Sequence, residues 1–353
     1  MGRRSLKDLQ RGSSRRDRIR SRPQGARDTG GGAGWRIVAA KELADHLLSL
    51  RFTILALLIG AAAILSVSAA AGGIRDAAEA VAEPSSQVPA LFLKLFTVAP
   101  DRIPPFFFMV ALLAPLLGIA FGFDAVNGER SQGTLPRLLS QPVYRDDVIN
   151  GKFVAGLSVI SLVLGALTLI VAGVGMLRIG VVPSGAQIAR LTLFLLLTII
   201  YAGFWLALAT FFSVVLRGAA TSAIAAIGSW LLATLFAQLL VGILANAIAP
   251  VPPQASPLEE IRNARMEQNL ARVFPGTLYG EATVVLLTPE QRSLDPLLGS
   301  PLLYRLQPGA IPSELRLDQS LLIVWPQITG IVALTVLCFA AAYLSFMRQE
   351  IRA

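Results

Sequence analysis

Residues 103–123 read IPPFFFMVALLAPLLGIAFGF and residues 124–152 read DAVNGERSQGTLPRLLSQPVYRDDVINGK. The first stretch carries no charge over 21 residues; the second carries four basic and four acidic side chains. A new charge-free run opens at Phe153 and continues to Leu177. A helix needs about 20 apolar residues to cross a hydrocarbon core of about 30 Å. Each apolar run meets that length, and nothing in the charged hairpin between them can enter lipid. The chain therefore crosses a bilayer, turns in water and crosses back.

The same reading extends in both directions. Charge-free runs at about 52–74, 103–123, 153–177, 191–216, 218–249 and 319–347 give six spans. The composition is 54% apolar and 15% charged, outside the range of soluble domains. The runs are continuous rather than alternating, which excludes a membrane β-barrel. The expected fold is an all-α polytopic integral membrane protein spanning residues 52–347. With both termini inside, 20 of the 31 basic residues fall on the inner side, and the inner segments carry a net charge of +10 against −1 outside. Basic bias in the flanks and short loops sets orientation, so an N-in, C-in topology is expected, with a short inner C-terminus at 348–353.

Residues 1–34 form a basic tail, with most of its charge at 3–27 and GGGAG at 30–34. Its composition predicts disorder and contact with anionic membrane lipids. No aromatic residue interleaves with these charges, which argues against nucleic acid. A cleaved signal peptide is not expected, because the first span is too long and too far from the start. Residues 35–51 read as an amphipathic interfacial helix. Ala39, Ala40, Leu43, Leu47 and Leu50 share one face, and Lys41, Glu42, Asp45, His46 and Ser49 the other.

The fifth run is long, about 48 Å as a helix, so steep tilt, a break near Gly242 or a partial re-entry on the outer side would resolve the excess, and a broken or re-entrant end is expected. Residues 250–318 make an extracytoplasmic loop. Ser256-Pro257-Leu258-Glu259 matches a capping box and predicts a helix from Leu258 to about Val273. A second, more apolar helix is predicted from Thr277 to Leu287, lying on the membrane.

The chemistry is defined mostly by exclusion. The one Gly-Lys pair, Gly151-Lys152, precedes Phe153 and lacks the rest of a P-loop. HExxH, CxxC and GxSxG are absent, and the single His46 and single Cys338 exclude a His-based dyad and an intramolecular disulfide. No span interior carries an ionised side chain, which argues against a buried proton or sodium relay. Catalytic activity, a metal site and a cofactor bound by this chain are not expected. The fifth span holds a polar stripe, Ser222, Trp230, Thr234, Gln238 and Asn246, that reads either as helix–helix packing or as a pathway or dimer face. In the hairpin, Gly128 and Gly133 permit sharp turns. Thr134 caps a short helix, LPRLLSQ, that offers Leu135, Leu138 and Leu139 beside Arg137 to a partner's cleft.

The hairpin resembles the first cytoplasmic loop of type-2 ABC exporter permeases. The shared elements are Asp124, Gly128-Glu129-Arg130, Gly133-Thr134-Leu135, Gln141-Pro142-Val143, Arg145 with Asp147, and Gly151-Lys152. Lys41-Glu42-Leu43 and the turn FFSVVLRGAATSAIAAIGSWL at 211–231 resemble the same family. The stretch 276–297 resembles the outer loop of the subgroup containing the nitrous-oxide-reductase maturation permease. The resemblance implies a permease dimer, with a homodimer expected, and two copies of a separate P-loop ATPase that binds the ATP and magnesium. It places the protein in the plasma membrane of a prokaryote. It also implies that Lys41, Glu42 and Asp45 with Asp124, Glu129, Arg130, Gly133, Thr134, Arg137, Leu138, Leu139, Arg145 and Asp147 form the ATPase-coupling surface. The implied activity is export of a solute. The alternative is a mechanical coupler acting on an extracytoplasmic partner through the outer loop.

Overall fold

The computed structural model describes residues 34–80, 91–98, 103–133, 144–291, 293–294 and 314–349. Every regular element among them is helical: α1 (Gly34–Leu47), α2 (Leu50–Ala80), α3 (Leu91–Thr97), α4 (Phe106–Gly122), α5 (Asn127–Ser131), α6 (Arg145–Ile179), α7 (Gly185–Val215), α8 (Ala219–Leu231), α9 (Ala237–Ile248), α10 (Pro257–Ala271), α11 (Pro275–Leu287) and α12 (Leu317–Arg348). Six helical stretches are long and apolar enough to cross a membrane, with α8 and α9 joined into one. The protein is an all-α multi-pass membrane protein.

Helix boundaries follow local chemistry that the hydropathy runs do not register. The third span starts at Arg145 rather than 153, with Asp146 and Asp147 in its first turn beside the positive end of the helix. It ends where Gly180 adopts φ 74°, a conformation costly for a residue with a Cβ. The fourth span starts at Gly185 rather than 191. Ser184 accepts from Gln187 N while Gln187 Oε1 accepts from Ser184 N, a reciprocal cap.

The fifth span corrects an expectation. Its helix runs unbroken through Gly242, and its one irregularity is a wider turn at Leu232–Phe236. Breaking a helix at a lone glycine in lipid would strand backbone polar groups, so the chain stays helical until the prolines after Ala249. The extra residue in the wide turn rotates the downstream face by about 100°.

α7 lies at the centre and packs against α4, α6, α8, α11 and α12. Of its most apolar stretch 61% is buried, against 17% for the fifth and sixth spans, so those two form the periphery. Gly118 and Gly122, four apart on α4, let the α7 backbone approach closely; a Cβ on Gly118 would lie 2.3 Å from Ala202 O. The core continues through Phe96, Phe106 and Phe194, whose ring centroids are 5.3 and 6.4 Å apart in sequence. Phe92, Leu93, Leu95 and Phe96 of α3 are all buried, so this part of the first outer loop belongs to the bundle.

The outer helices form as predicted, but α11 does not lie on the membrane. Leu278, Tyr279, Ala282, Val285 and Leu286 are buried, and α11 packs on α7, α12, α3 and α4. Its apolar content fills the mouth of the bundle. α10 folds back along α9, where Asn263 Nδ2 donates to Asn246 Oδ1 (2.9 Å) and to Ala249 O (2.7 Å).

Candidate functional site

α1, α5, the start of α6, the α7–α8 turn and the end of α12 meet at one end of the bundle, the loop end. α1 lies on the first turns of α6. A Cβ on Gly151 would lie 2.7 Å from Val38 Cβ and 2.8 Å from Trp35 O, so only a glycine admits this approach. Gly34, at the first turn of α1, sits against the Asp147 carboxylate, with its ideal Cβ 2.3 Å from Oδ2. Asp147 is therefore an internal contact at a helix N-terminus, where a negative charge is favoured.

This packing turns Glu42, on the polar face of α1, inward against α5 and α6. Lys152 Nζ lies 2.9 Å from Glu42 Oε1 and 2.8 Å from Glu129 Oε1. One ammonium thus joins α1, α5 and α6. Its side chain is 6% exposed, and the two carboxylates are 12% and 14% exposed. Burial alone would raise the Glu42 carboxyl; Lys152 outweighs it and holds Glu42 below the usual carboxylate range. Burial pulls Lys41 down, but Asp45 (3.0 Å) and Glu42 (3.4 Å) hold it above its ordinary value. Arg51 pairs with Asp124 at 2.5 Å and lies over the Phe123 ring. These groups line a polar cavity of about 280 Å³ together with His46, whose ring meets Phe121 edge-on at 5.0 Å. Burial, partly offset by Glu42 and Asp124, keeps His46 below its ordinary pKa.

A second knot lies beside the cavity. Ser213 Oγ accepts from the backbone N–H of Val126 (3.0 Å) and Asn127 (3.1 Å), and Asn127 Nδ2 donates to Gly218 O at 3.2 Å. The hairpin is thereby bound to the α7–α8 turn. Arg130 Nη2 donates to Gln349 Oε1 (2.5 Å), Arg145 Nη2 to Gln349 O (2.8 Å), and Gln349 Nε2 to Val214 O (2.7 Å). Val126, Val148, Ile149, Val214, Ala342 and Phe346 form a small apolar core under these bonds.

The residues expected to couple to an ATPase therefore divide. Lys41 and Asp45 remain exposed as an ion pair. Glu42, Asp124 and Glu129 line the cavity, and Arg130, Arg145 and Asp147 contact other parts of the chain. Gly133 takes φ 67°, the left-handed turn expected of it. Thr134, Arg137, Leu138 and Leu139 lie outside the described residues. The fifth-span stripe also divides. Ser222 is buried and Trp230 half-buried, whereas Thr234, Gln238 and Asn246 are exposed, Asn246 holding Asn263.

Sequence reasoning quoted Lys152 without a role and passed over Arg51, Asn127, Ser213, Gln349 and Tyr144. A lysine one residue ahead of a long apolar run must find carboxylates on neighbouring helices, and that signal was available. Tyr144, 68% exposed at the start of α6, is a candidate contact of the kind enriched at interfaces.

The opposite end, the lid end, is closed differently. Arg190, 3% exposed, donates to Val285 O, Leu286 O, Leu315 O and Ser320 Oγ, joining α7 to the end of α11 and the start of α12. Glu281 accepts from Gln268, Arg272 and Gln327, and its ion pair with Arg272 is 2.9 Å. Tyr279 stacks on Tyr201 (4.4 Å) and shares a hydrogen bond with Thr198 (3.0 Å).

Residues 36–351 match the family described as ABC-2 family transporter protein. Two relatives carry the name probable ABC transporter permease protein NosY. The one from Stutzerimonas stutzeri is 32% identical over 96 residues, 27% of this chain and 33% of that protein. The one from Pseudomonas aeruginosa is 31% identical over 116 residues, 33% of this chain and 36% of that protein. The matched segments span about a third of each relative.

Proposed function

This chain belongs to the ABC-2 family of transporter proteins, and from that premise we propose that it is the membrane-spanning permease subunit of an ABC-type exporter. It works in the plasma membrane of a prokaryote as a homodimer and moves a solute with ATP hydrolysed by two copies of a separate P-loop subunit. The family match and the names of the two relatives support the permease assignment. These 353 residues contain no P-loop, which supports a motor carried by a second chain.

The observation that carries the reading is the Lys152 junction. A single buried cation ties the N-terminal helix and the hairpin to the third span. A force applied by an ATPase to α1 or the hairpin would then reach the membrane helices through ion pairs rather than through a loose loop. Lys41, Asp45, Tyr144 and the hairpin residues Arg137, Leu138 and Leu139 are the proposed contacts with that subunit. Co-purification of a P-loop ATPase with this chain from its native membranes tests the reading. Association is expected for the native protein and lost on Leu138→Asp or Glu129→Lys. Leu138→Asp is the cleaner arm, because Glu129→Lys also disturbs Lys152. Native-like association of both variants would refute the docking surface.

A second reading is favoured by the lid. α11 is bonded directly to α7 and α12, so motion of those spans would reach the outer surface. The protein would then drive an extracytoplasmic partner without moving a solute. Comparing exported metabolites and surface lipids after gene deletion separates the two readings, since only an exporter alters them.

A further inference from the structure

We propose that Gln349 is the pin that makes the hairpin, the fourth span and the sixth span move as one body at the loop end. The residue lies just past the end of α12, with extended backbone (φ −71°, ψ 125°), and each of its polar groups faces a different element. Its side-chain oxygen receives Arg130 from α5, its side-chain amide donates to Val214 O at the end of α7, and its backbone oxygen receives Arg145 from α6. Val214 O belongs to the last turn of α7, where carbonyls lack partners within the helix. Arg145 also lies over the Phe346 ring one turn back on α12, at 5.6 Å.

The chemistry suits a pin. A side-chain amide offers an acceptor and a donor on one rigid planar group, so glutamine can hold a guanidinium on one side and a carbonyl on the other. A carboxylate would hold the guanidinium and repel the carbonyl. An aliphatic residue would hold neither. The apolar core of Val126, Val148, Ile149, Val214, Ala342 and Phe346 brings these elements near each other but is non-directional. The amide fixes their register. Arg130, one of the residues implied for the ATPase-coupling surface, links the hairpin to α12 through this amide.

The consequence for transport rests on the permease reading, but the mechanical claim does not. Spin labels are placed at exposed Gln132 and Leu344, and in a second protein at Arg217 and Leu344, with Cys338→Ala in the background. Distances are measured in the full chain in lipid nanodiscs, without nucleotide. With labelled protein diluted into an excess of unlabelled protein, so that distances within one protomer are read, the native residue at 349 is expected to give one narrow distance for each pair. Gln349→Ala removes the links to Arg130 and Val214 and should lose the narrow distance in both pairs. Gln349→Glu keeps Arg130 and loses Val214, so only the Arg217–Leu344 pair should broaden. Narrow distances in both variants overturn the pin, and so does broadening of both pairs in Gln349→Glu. Adding the ATPase separates this result from the permease reading. Retained association of Gln349→Ala, with loss of its ATP-driven distance change, is expected. Absence of any ATPase association, in the native protein as well, counts against the permease reading and leaves the nucleotide-free result standing.

Discussion

At the loop end a lysine joins three helices through two carboxylates; at the lid end an arginine joins three segments mainly through backbone carbonyls. The difference is one of permitted motion. A compact ammonium is a point charge that keeps most of its attraction as its carboxylates slide. A planar guanidinium in contact with several fixed acceptors tolerates little displacement, and the stacked Tyr201–Tyr279 pair adds a second fixed contact. At the loop end the Lys152 junction tolerates sliding of α1 against the hairpin, whereas the Arg190 contacts hold the lid end in one arrangement. On the permease reading proposed above, an external motor would act on a yielding α1 junction and on a cap that responds only when whole spans move.

The sharpest way to break this contrast is Lys152→Met. Removing the cation leaves two buried carboxylates facing each other, a loss of about 3–5 kcal/mol. Hydrogen exchange should show α1 and α5 opening while α11 stays protected. Adding Glu42→Gln and Glu129→Gln should restore most of the loss, because the uncompensated charges are then gone. Opening of α11 in the single variant would mean that the two ends are not separate.

The converse variant, Arg190→Leu, strips donors from three carbonyls and a hydroxyl at the lid. Hydrogen bonds to a charged group contribute about 1.5–3 kcal/mol, so a loss of about 2–3 kcal/mol is expected. It should appear as exposure of α11 and of the start of α12, with α1 unchanged. A smaller effect falls on the loop end when Gly151→Val drives a side chain into Val38 and the Trp35 carbonyl. Overpacking of this kind costs about 1–3 kcal/mol. α1 should detach while Lys152 keeps Glu129, and ATPase association should weaken even though no proposed contact residue has changed.

What the sequence made legible follows the same division. Six charge-free runs determine six spans, because length and hydropathy are local properties. The capping box at Ser256 and the turn at Gly133 were readable for the same reason. The partners of Lys152 and Gln349 were not, since both depend on which helix faces which. The 3.6-residue period put Glu42 on a polar face, and it is polar; its neighbour is another helix rather than water. α11 misled in the opposite way. An apolar helix in an outer loop suits either a membrane surface or the mouth of a bundle, and only the buried Tyr279 and Val285 distinguish them. The unbroken fifth span turned on a lipid-specific constraint, the need to satisfy every backbone group, which outweighs the weak helix preference of glycine.

The finest test uses protons. His46 lies below its ordinary pKa of 6.5, chiefly through burial, with Glu42 and Asp124 opposing and Lys152 adding to the shift. The charged groups that line the cavity with it are Lys41, Glu42 and Asp45 on its own helix, Arg51, Asp124 and Glu129 across the cavity, and Lys152 on α6. Because its folded value is the lower one, the unfolded chain binds more protons in the interval, and stability rises with pH there. Acidification below about 6.5 should therefore begin to loosen α1. Glu42, held below its ordinary value of 4.5, contributes stability that is present above that value and lost only as pH falls further. Two steps of α1 opening are expected on acidification, read by hydrogen exchange corrected for the intrinsic rate. His46→Gln should abolish the first step and keep the second. If α11 opened in the first step as well, the yielding input and the closed cap would be one cooperative unit, and the contrast between the two ends would fail at its smallest increment.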